Sequence, residues 1–172
     1  MIGKIANNPK NVFLRVMSLA GFRYLWIGQV ASQLAFSSMM FVLSLRVYQL
    51  TGSNTAVSLL FLTFGVPALF LAVAAGAIDD HLDNRSVLLF CDTIRAIVVM
   101  GLIFFPRNLP FIYGLAFILA VVNQFYVPAE VPTIPLVVPH ELLLTANSLF
   151  AFTFYSSLAV GSMVAGPILR LF

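Results

Sequence analysis

The amino-acid sequence predicts an all-α protein, a multi-spanning membrane helix bundle. Three observations predict it. Hydrophobic residues make up 61% of the chain and charged ones only 9%, where a soluble domain carries about a quarter charged. A chain of 172 residues cannot bury that much apolar side chain in a core of its own, so much of its surface faces something other than water. Finally, the short polar connection Gly76–Arg85, GAIDDHLDNR, separates two long apolar runs. Val47–Ile78 carries no charge, and Ser86–Pro106 carries only Asp92 and Arg95.

About 20 apolar residues cross the hydrocarbon core as a helix. The runs that meet this are Tyr24–Leu45, Thr55–Ile78, Ser86–Pro106, Asn108–Ala129 and Leu142–Leu169. They predict a membrane domain over 24–172 with helices near 24–48, 55–78, 86–106, 108–131 and 142–169. The runs lack the ten-residue alternation of a barrel strand, so each satisfies its peptide groups within a helix.

Residues 1–23 are moderately basic, with Val12, Phe13, Val16, Met17, Leu19 and Phe22 interspersed. The segment reads as a short helix at the inner interface, starting near Pro9, or as a disordered cytoplasmic tail. Tyr24 and Trp26 follow at the depth of interfacial anchors. Lys4, Lys10, Arg15 and Arg23 precede the first span, and Arg85 lies in the connection between spans two and three. The turn Thr51–Thr55 is uncharged, and Arg107 alone occupies the connection between spans three and four. This excess places the N-terminus in the cytoplasm. The net charge of +3 is therefore a topology signal, and no contiguous basic face suggests a nucleic-acid partner.

Span one carries Gln29, Gln33, Ser37, Met40 and Ser44 on one helical face. Such a stripe either lines a hydrated cavity or joins helices. Asn123 and Gln124 form a shorter polar patch in span four. The segment Val127–Pro139, VPAEVPTIPLVVP, holds four prolines, so span four is expected to bend or end there and run into an irregular connection. Glu141 is expected in the first turn of helix five, where a carboxylate favours the positive helix end. Ser157, Gly161 and Ala165 recur every four residues in span five, followed by Gly166 and Pro167; small residues at that spacing let backbones approach closely.

The charges inside the spans need partners, because an unpaired charge in lipid costs several kcal/mol. Asp92 and Arg95 are three residues apart on neighbouring parts of one helix face. They read as an intrahelical pair or interhelix clamp, as a substrate or proton site, or as interfacial charges. Glu130, between Pro128 and Pro132, reads as one half of a conformation-dependent ion pair, as a proton carrier, or as an interfacial carboxylate. His81 and His140 lack metal-ligand spacing and read as solvated loop residues. The single Cys91 lies within span three, which excludes an intramolecular disulfide and offers no multi-cysteine metal site. The first apolar run starts too late and is too long for a cleaved signal peptide. No catalytic constellation and no phosphate-cradling loop are evident, so neither an enzyme nor a bound cofactor is expected.

The loop, span three and the proline segment together resemble the major facilitator superfamily, in its branch of bacterial drug and siderophore exporters. There the connection after helix two reads glycine, three variable residues, aspartate, arginine and further basic residues. Gly76, Asp80 and Arg85 stand where the glycine, the aspartate and a later basic residue fall; His81 takes the arginine position and Asp79 adds an acid. The likeness extends through Phe22–Gln29, Thr51–Ser53, Leu89–Ala96, Phe125–Glu130, Ile134–Pro135 and Ala146–Leu149. Gly161 with Ala165, Gly166 and Pro167 resembles the helix-five motif of antiporter members.

The resemblance implies a cytoplasmic gate built on Gly76, Asp80 and Arg85, with Asp92, Arg95 and Glu130 in its charge network. It implies a cavity lined by Gln29, Gln33, Ser37 and Asn123, and close helix packing through Gly161, Ala165, Gly166 and Pro167. The implied function is export of small amphipathic molecules in exchange for protons across the inner (plasma) membrane. The implied partners are the lipid bilayer, the substrate, protons and the C-terminal helices of the same permease. The family has twelve helices in two halves, so these five are expected to be the incomplete N-terminal half of that fold. The other expectation is a truncated, non-transporting membrane protein or a helical assembly partner.

Overall fold

The computed structural model describes residues 9–79 and 82–169. Among them there is no strand, and five helices are long and apolar enough to cross a membrane. Helix α1 spans Pro9–Ser18 and α2 spans Ala20–Thr51. They are separated at Leu19, whose extended backbone (φ −73°, ψ 114°) lets the chain turn between them. Helix α2 is longer than the uncharged run alone, because nothing in Ala20–Arg23 breaks it and its stop is Gly52. That glycine adopts φ +61°, and its N–H donates to the Tyr48 carbonyl at 2.8 Å. Only glycine takes that left-handed end without a Cβ penalty.

Helix α3 spans Asn54–Asp79, with the Ser53 hydroxyl accepting from the Ala56 N–H at 3.3 Å and the buried Pro67 in its interior. Helix α4, Asn84–Phe104, starts at Asp83, whose carboxylate accepts from the Ser86 N–H at 3.0 Å and the Ser86 hydroxyl at 2.7 Å. The hydroxyl and N–H of Ser86 hold the Asp83 carboxyl below the ordinary aspartate value of 3.8. A depressed folded pKa stabilises the native state above the unfolded value and ceases to do so as pH falls through the folded one. Amide exchange at Ser86 is therefore expected to stay protected from neutral pH down past 3.8 and to open only below it. Asp83→Asn keeps the cap and is expected to abolish that pH step; an unchanged step would remove Asp83 as its source.

Helix α5, Leu109–Glu130, is capped by Asn108, whose side-chain oxygen accepts from the Phe111 N–H at 3.1 Å. The proline segment is more regular than its sequence suggests. Pro128 sits inside α5, and a 3-10 turn at Val131–Thr133 leads into the short helix α6, Ile134–Val137. The prolines are accommodated because Pro132 and Pro135 fall in the first turns of these short elements, where the missing N–H has no partner to lose. A second 3-10 turn, His140–Leu142, contains Glu141 and precedes α7, Leu143–Leu169. Glu141 thus lies just ahead of α7 and not in its first turn.

Helices α2 and α5 are the two centres of packing. Helix α7 lies along α2, while α3 and α4 lie along α5. At the end away from α1, the core comprises Met39, Val42, Leu43 and Val47 of α2 with Leu60, Val98, Leu102, Ile112 and Leu119. Two ties close that end. The Arg46 Nε–H donates to the Pro106 carbonyl at 2.7 Å, and the Tyr113 hydroxyl donates to the Ala56 carbonyl at 2.6 Å. At the α1 end, Val16 and Phe22 pack with Ile134, Val138, Leu142, Ala146 and Phe150, so α1 is seated on the connector before α7. The Trp26 indole donates to the Thr153 hydroxyl at 2.9 Å, joining α2 to α7.

The perimeter is apolar: Leu69, Phe70, Leu144, Phe152 and Met163 are all exposed. A bilayer supplies the surroundings that water does not, and the chain is a multi-pass membrane protein.

Candidate functional site

Between the two apolar cores, α2 carries buried Gln29, Ser32 and Ser37. Opposite them stands Arg95 of α4, only 5% exposed. Its guanidinium donates through Nη1 to the Ser32 hydroxyl and, at 3.3 Å, to Asp92 Oδ1. Through Nη2 it donates to Asn123 Oδ1 of α5 at 3.2 Å. Ser32 in turn donates to Asp92 Oδ1. One cation thereby ties three helices, which a planar guanidinium can do because its donors are splayed in a fork.

Two aromatic rings complete the cradle. The guanidinium carbon lies 4.1 Å from the Tyr126 ring centroid and 5.4 Å from that of Phe36, within the range where a ring face attracts a cation. Tyr126 stands about one turn before Glu130, the last residue of α5. Three buried polar atoms here have no protein partner: Arg95 Nε, Gln29 Oε1 and Glu130 Oε1.

Asp92 differs from Arg95 in exposure. Its side chain is 44% exposed and faces a groove of about 330 Å³ between α2 and α4. Small residues of α2, Gly28, Ala31 and Ala35, floor the groove, and Phe36, Met39 and Val99 wall it. A second groove of about 420 Å³ lies between α4 and α5; its walls are apolar apart from Asp83 and Ser86 at one end. The chemistry is therefore at the first groove. It consists of a buried cation whose carboxylate partner is held at the edge of an apolar space.

The structure brings together Asp92, Arg95 and Asn123, sets Glu130 at the end of α5, and places the remaining predicted residues elsewhere. Gly76 lies in the last turn of α3, and Arg85 is exposed in the first turn of α4. Asp80 lies outside the described residues. Gln29 is buried, Gln33 half-buried, and Ser37 is at a helix crossing where α7 covers it. There a Cβ placed on Gly161 would meet Ser37 Cβ at 2.6 Å and the Ser38 nitrogen at 2.8 Å. Ala165 is buried, while Gly166 and Pro167 are exposed. Sequence reasoning did not single out Ser32, Phe36 or Tyr126. Ser32 lies one position off the Gln29–Gln33 stripe, and no local pattern says that an aromatic ring will lie against an arginine.

The family description that matches residues 25–172 is the Major Facilitator Superfamily. The chain belongs to this family. Among curated relatives of the superfamily, it is 32% identical over 82 residues to the uncharacterized MFS-type transporter YkuC of Bacillus subtilis (strain 168). That match covers 46% of this chain and 19% of the relative. It is 24% identical over 131 residues to the uncharacterized MFS-type transporter YfiS of the same organism, covering 76% of this chain and 31% of the relative. The chain thus spans less than a third of the superfamily relatives it matches. No solved structure matches it.

Proposed function

We propose that this chain forms the N-terminal helices of a proton-coupled exporter of small amphipathic molecules, of the drug and siderophore branch. Its place is the inner (plasma) membrane with the N-terminus in the cytoplasm, as the distribution of Lys and Arg indicates. The observation that carries the reading is the Asp92–Arg95 pair, held between α2, α4 and α5 at the edge of the α2–α4 groove.

The physics of that pair supplies a coupling. When Asp92 is ionised, it neutralises Arg95 and accepts from Ser32. When it is protonated, Arg95 keeps Ser32 and Asn123 but loses its counter-charge. The bundle then favours an arrangement in which the guanidinium finds another acceptor. A proton bound more tightly in one arrangement than the other shifts the population between them. Alternating access of two bundles about a midplane site converts that shift into transport. Gly76, Asp80 and Arg85 serve as this half of the cytoplasmic gate against helices outside these residues. Gln29, Gln33 and Asn123 present polar groups toward the pathway, and Gly161 with Ala165 supports close contact.

Cells expressing the full coding sequence are expected to extrude a fluorescent amphiphile faster with a pH gradient than without. Asp92→Asn is expected to reduce the gradient-dependent part by at least about tenfold, equivalent to about 1.4 kcal/mol. Efflux that ignores the gradient, or a gradient dependence that survives in Asp92→Asn, would sink the coupling.

A further inference from the structure

We propose that the groove between α4 and α5 binds one phospholipid whose headgroup ends in a primary ammonium, with an acyl chain along the groove and the ammonium on Asp83. The proposal needs only the bilayer around the bundle and stands apart from proton coupling.

The length of the groove points to a lipid. Below the cap residue Asp83, its α4 side is Val87, Phe90, Cys91 and Ile94, positions that share one helical face. From Asp83 to Ile94 is about 16 Å at 1.5 Å per residue, close to half of the ~30 Å hydrocarbon core. Helix α4 runs on to Phe104, but the groove does not follow it. There Phe111 and Leu115 of α5 close on Gly101, where an added Cβ would meet their side chains at 3.4 and 3.5 Å. The opening therefore has the depth of a single leaflet. A membrane-crossing helix docked on this face would need a seam along the whole span, whereas an acyl chain needs one leaflet.

The chemistry along the groove is ordered the same way. Val87, Cys91 and Val122 are buried in its floor, where the Cys91 thiol donates to the Val122 carbonyl at 3.6 Å. Phe90 is exposed at the rim. The polar end is Asp83 with Ser86. It lies at the α1 end of the bundle, to which α3 returns the chain before α4 begins, and so at the depth of headgroups. The Asp83 carboxyl, held below its ordinary value by Ser86, is ionised at neutral pH. Both Ser86 donors go to its Oδ2, and Oδ1 accepts from none of the described residues, so lone pairs remain for a further donor. A primary ammonium brings a positive charge and three N–H donors to that oxygen. A trimethylated ammonium brings the charge without the donors, and a glycerol headgroup brings no positive charge at all. Arg85, exposed in the first turn of α4, supplies a cation for the lipid phosphate. Opposite charges two residues apart thus complement a zwitterionic headgroup, and the apolar groove beneath them takes the chain.

The test uses the full-length protein in phosphatidylcholine nanodiscs. These are doped with a phospholipid that carries a photoreactive diazirine midway along one acyl chain and an ethanolamine, choline or glycerol headgroup. Crosslinked peptides are mapped by mass spectrometry. The ethanolamine probe is expected to label residues 87–94 and 121–125 about fivefold more than the choline probe, the upper side of what an exposed ion pair supplies. The glycerol probe is expected to label them least, and labelling of α3 and α7 should not depend on the headgroup. Asp83→Asn keeps the helix cap but removes the charge, and is expected to bring the ethanolamine and choline probes to parity. Val121→Phe fills the groove from α5 and is expected to cut labelling of these segments by every probe. Where Val121→Phe does not fold, Asp83→Asn decides alone. Equal labelling by the ethanolamine and choline probes in the parent overturns the proposal. So does a preference that survives Asp83→Asn, or labelling that a folded Val121→Phe leaves unchanged. If no probe labels these segments, protein and not lipid covers this face, and the proposal falls.

Discussion

Replacing Arg95 by Met is expected to destabilise the bundle by about 3 kcal/mol, the scale of an unneutralised carboxylate within a span. The substitution keeps the length and apolar stem of the side chain but removes the guanidinium's bonds to Ser32 of α2 and to Asn123 of α5, leaving the Ser32–Asp92 bond. It also leaves Asp92 as an unneutralised carboxylate within a span. Hydrogen bonds inside membranes average only about 0.6 kcal/mol each, so most of the loss comes from the orphaned charge. Two further variants separate these contributions. Arg95→Lys retains the charge, yet a single ammonium cannot reproduce the fork that reaches both neighbours, and it is expected to recover less than half the loss. Arg95→Met combined with Asp92→Leu removes both charges and is expected to be more stable than Arg95→Met alone. Unfolding titrations in mixed detergent micelles measure all three. A double variant no more stable than Arg95→Met would show that the pair's electrostatics is not what holds these helices.

The spans are legible because the bilayer imposes one demand on sequence, a long run without charge, and five runs meet it. What surrounds each side chain is less legible. The stripe Gln29–Gln33–Ser37 left cavity and helix contact equally open, and the structure buries Gln29 and seats Ser37 beneath α7. A helical face can be read from spacing, but its neighbour depends on which helices pair, and in an apolar bundle every helix offers similar surfaces. Asp92 and Arg95 announced themselves as charges in lipid. Their partners Ser32 and Tyr126 did not, since a serine and a tyrosine in a span are unremarkable until a guanidinium lies against them. The proline segment misled in the other direction. Pro132 and Pro135 fall at the starts of short helical turns and Pro128 is tolerated within α5, so the chain remains helical through most of the segment.

The second large effect is expected at the crossing of α2 and α7. Gly161→Ala adds a single methyl group, yet that group would lie 2.6 Å from Ser37 Cβ, 2.8 Å from the Ser38 nitrogen and 2.9 Å from the Ser37 carbonyl carbon. Two of these three atoms are backbone, so no rotamer change relieves the contact and the helices themselves must separate. Overpacking of this kind costs about 1–3 kcal/mol, and here the displacement also pulls on the Trp26–Thr153 bond between the same helices. Gly161→Leu is expected to cost more. Ser37→Gly removes the nearest atom but leaves the backbone pair in place, so combining it with Gly161→Ala is expected to restore only part of the lost stability. Trp26, the one tryptophan in the chain, reports the separation directly through its emission, with Thr153→Val as the reference for a broken bond without a moved helix. Gly166→Ala is the control on the same helix. Apart from its chain neighbours nothing stands within 4 Å of an added Cβ there, so any loss comes from the following Pro167, which disfavours helical backbone in a residue that bears a Cβ, and is expected to be smaller than at Gly161. Equal losses from Gly161→Ala and Gly166→Ala would refute the crossing as the source, and a parent-like Gly161→Ala would mean that α2 and α7 do not approach this closely.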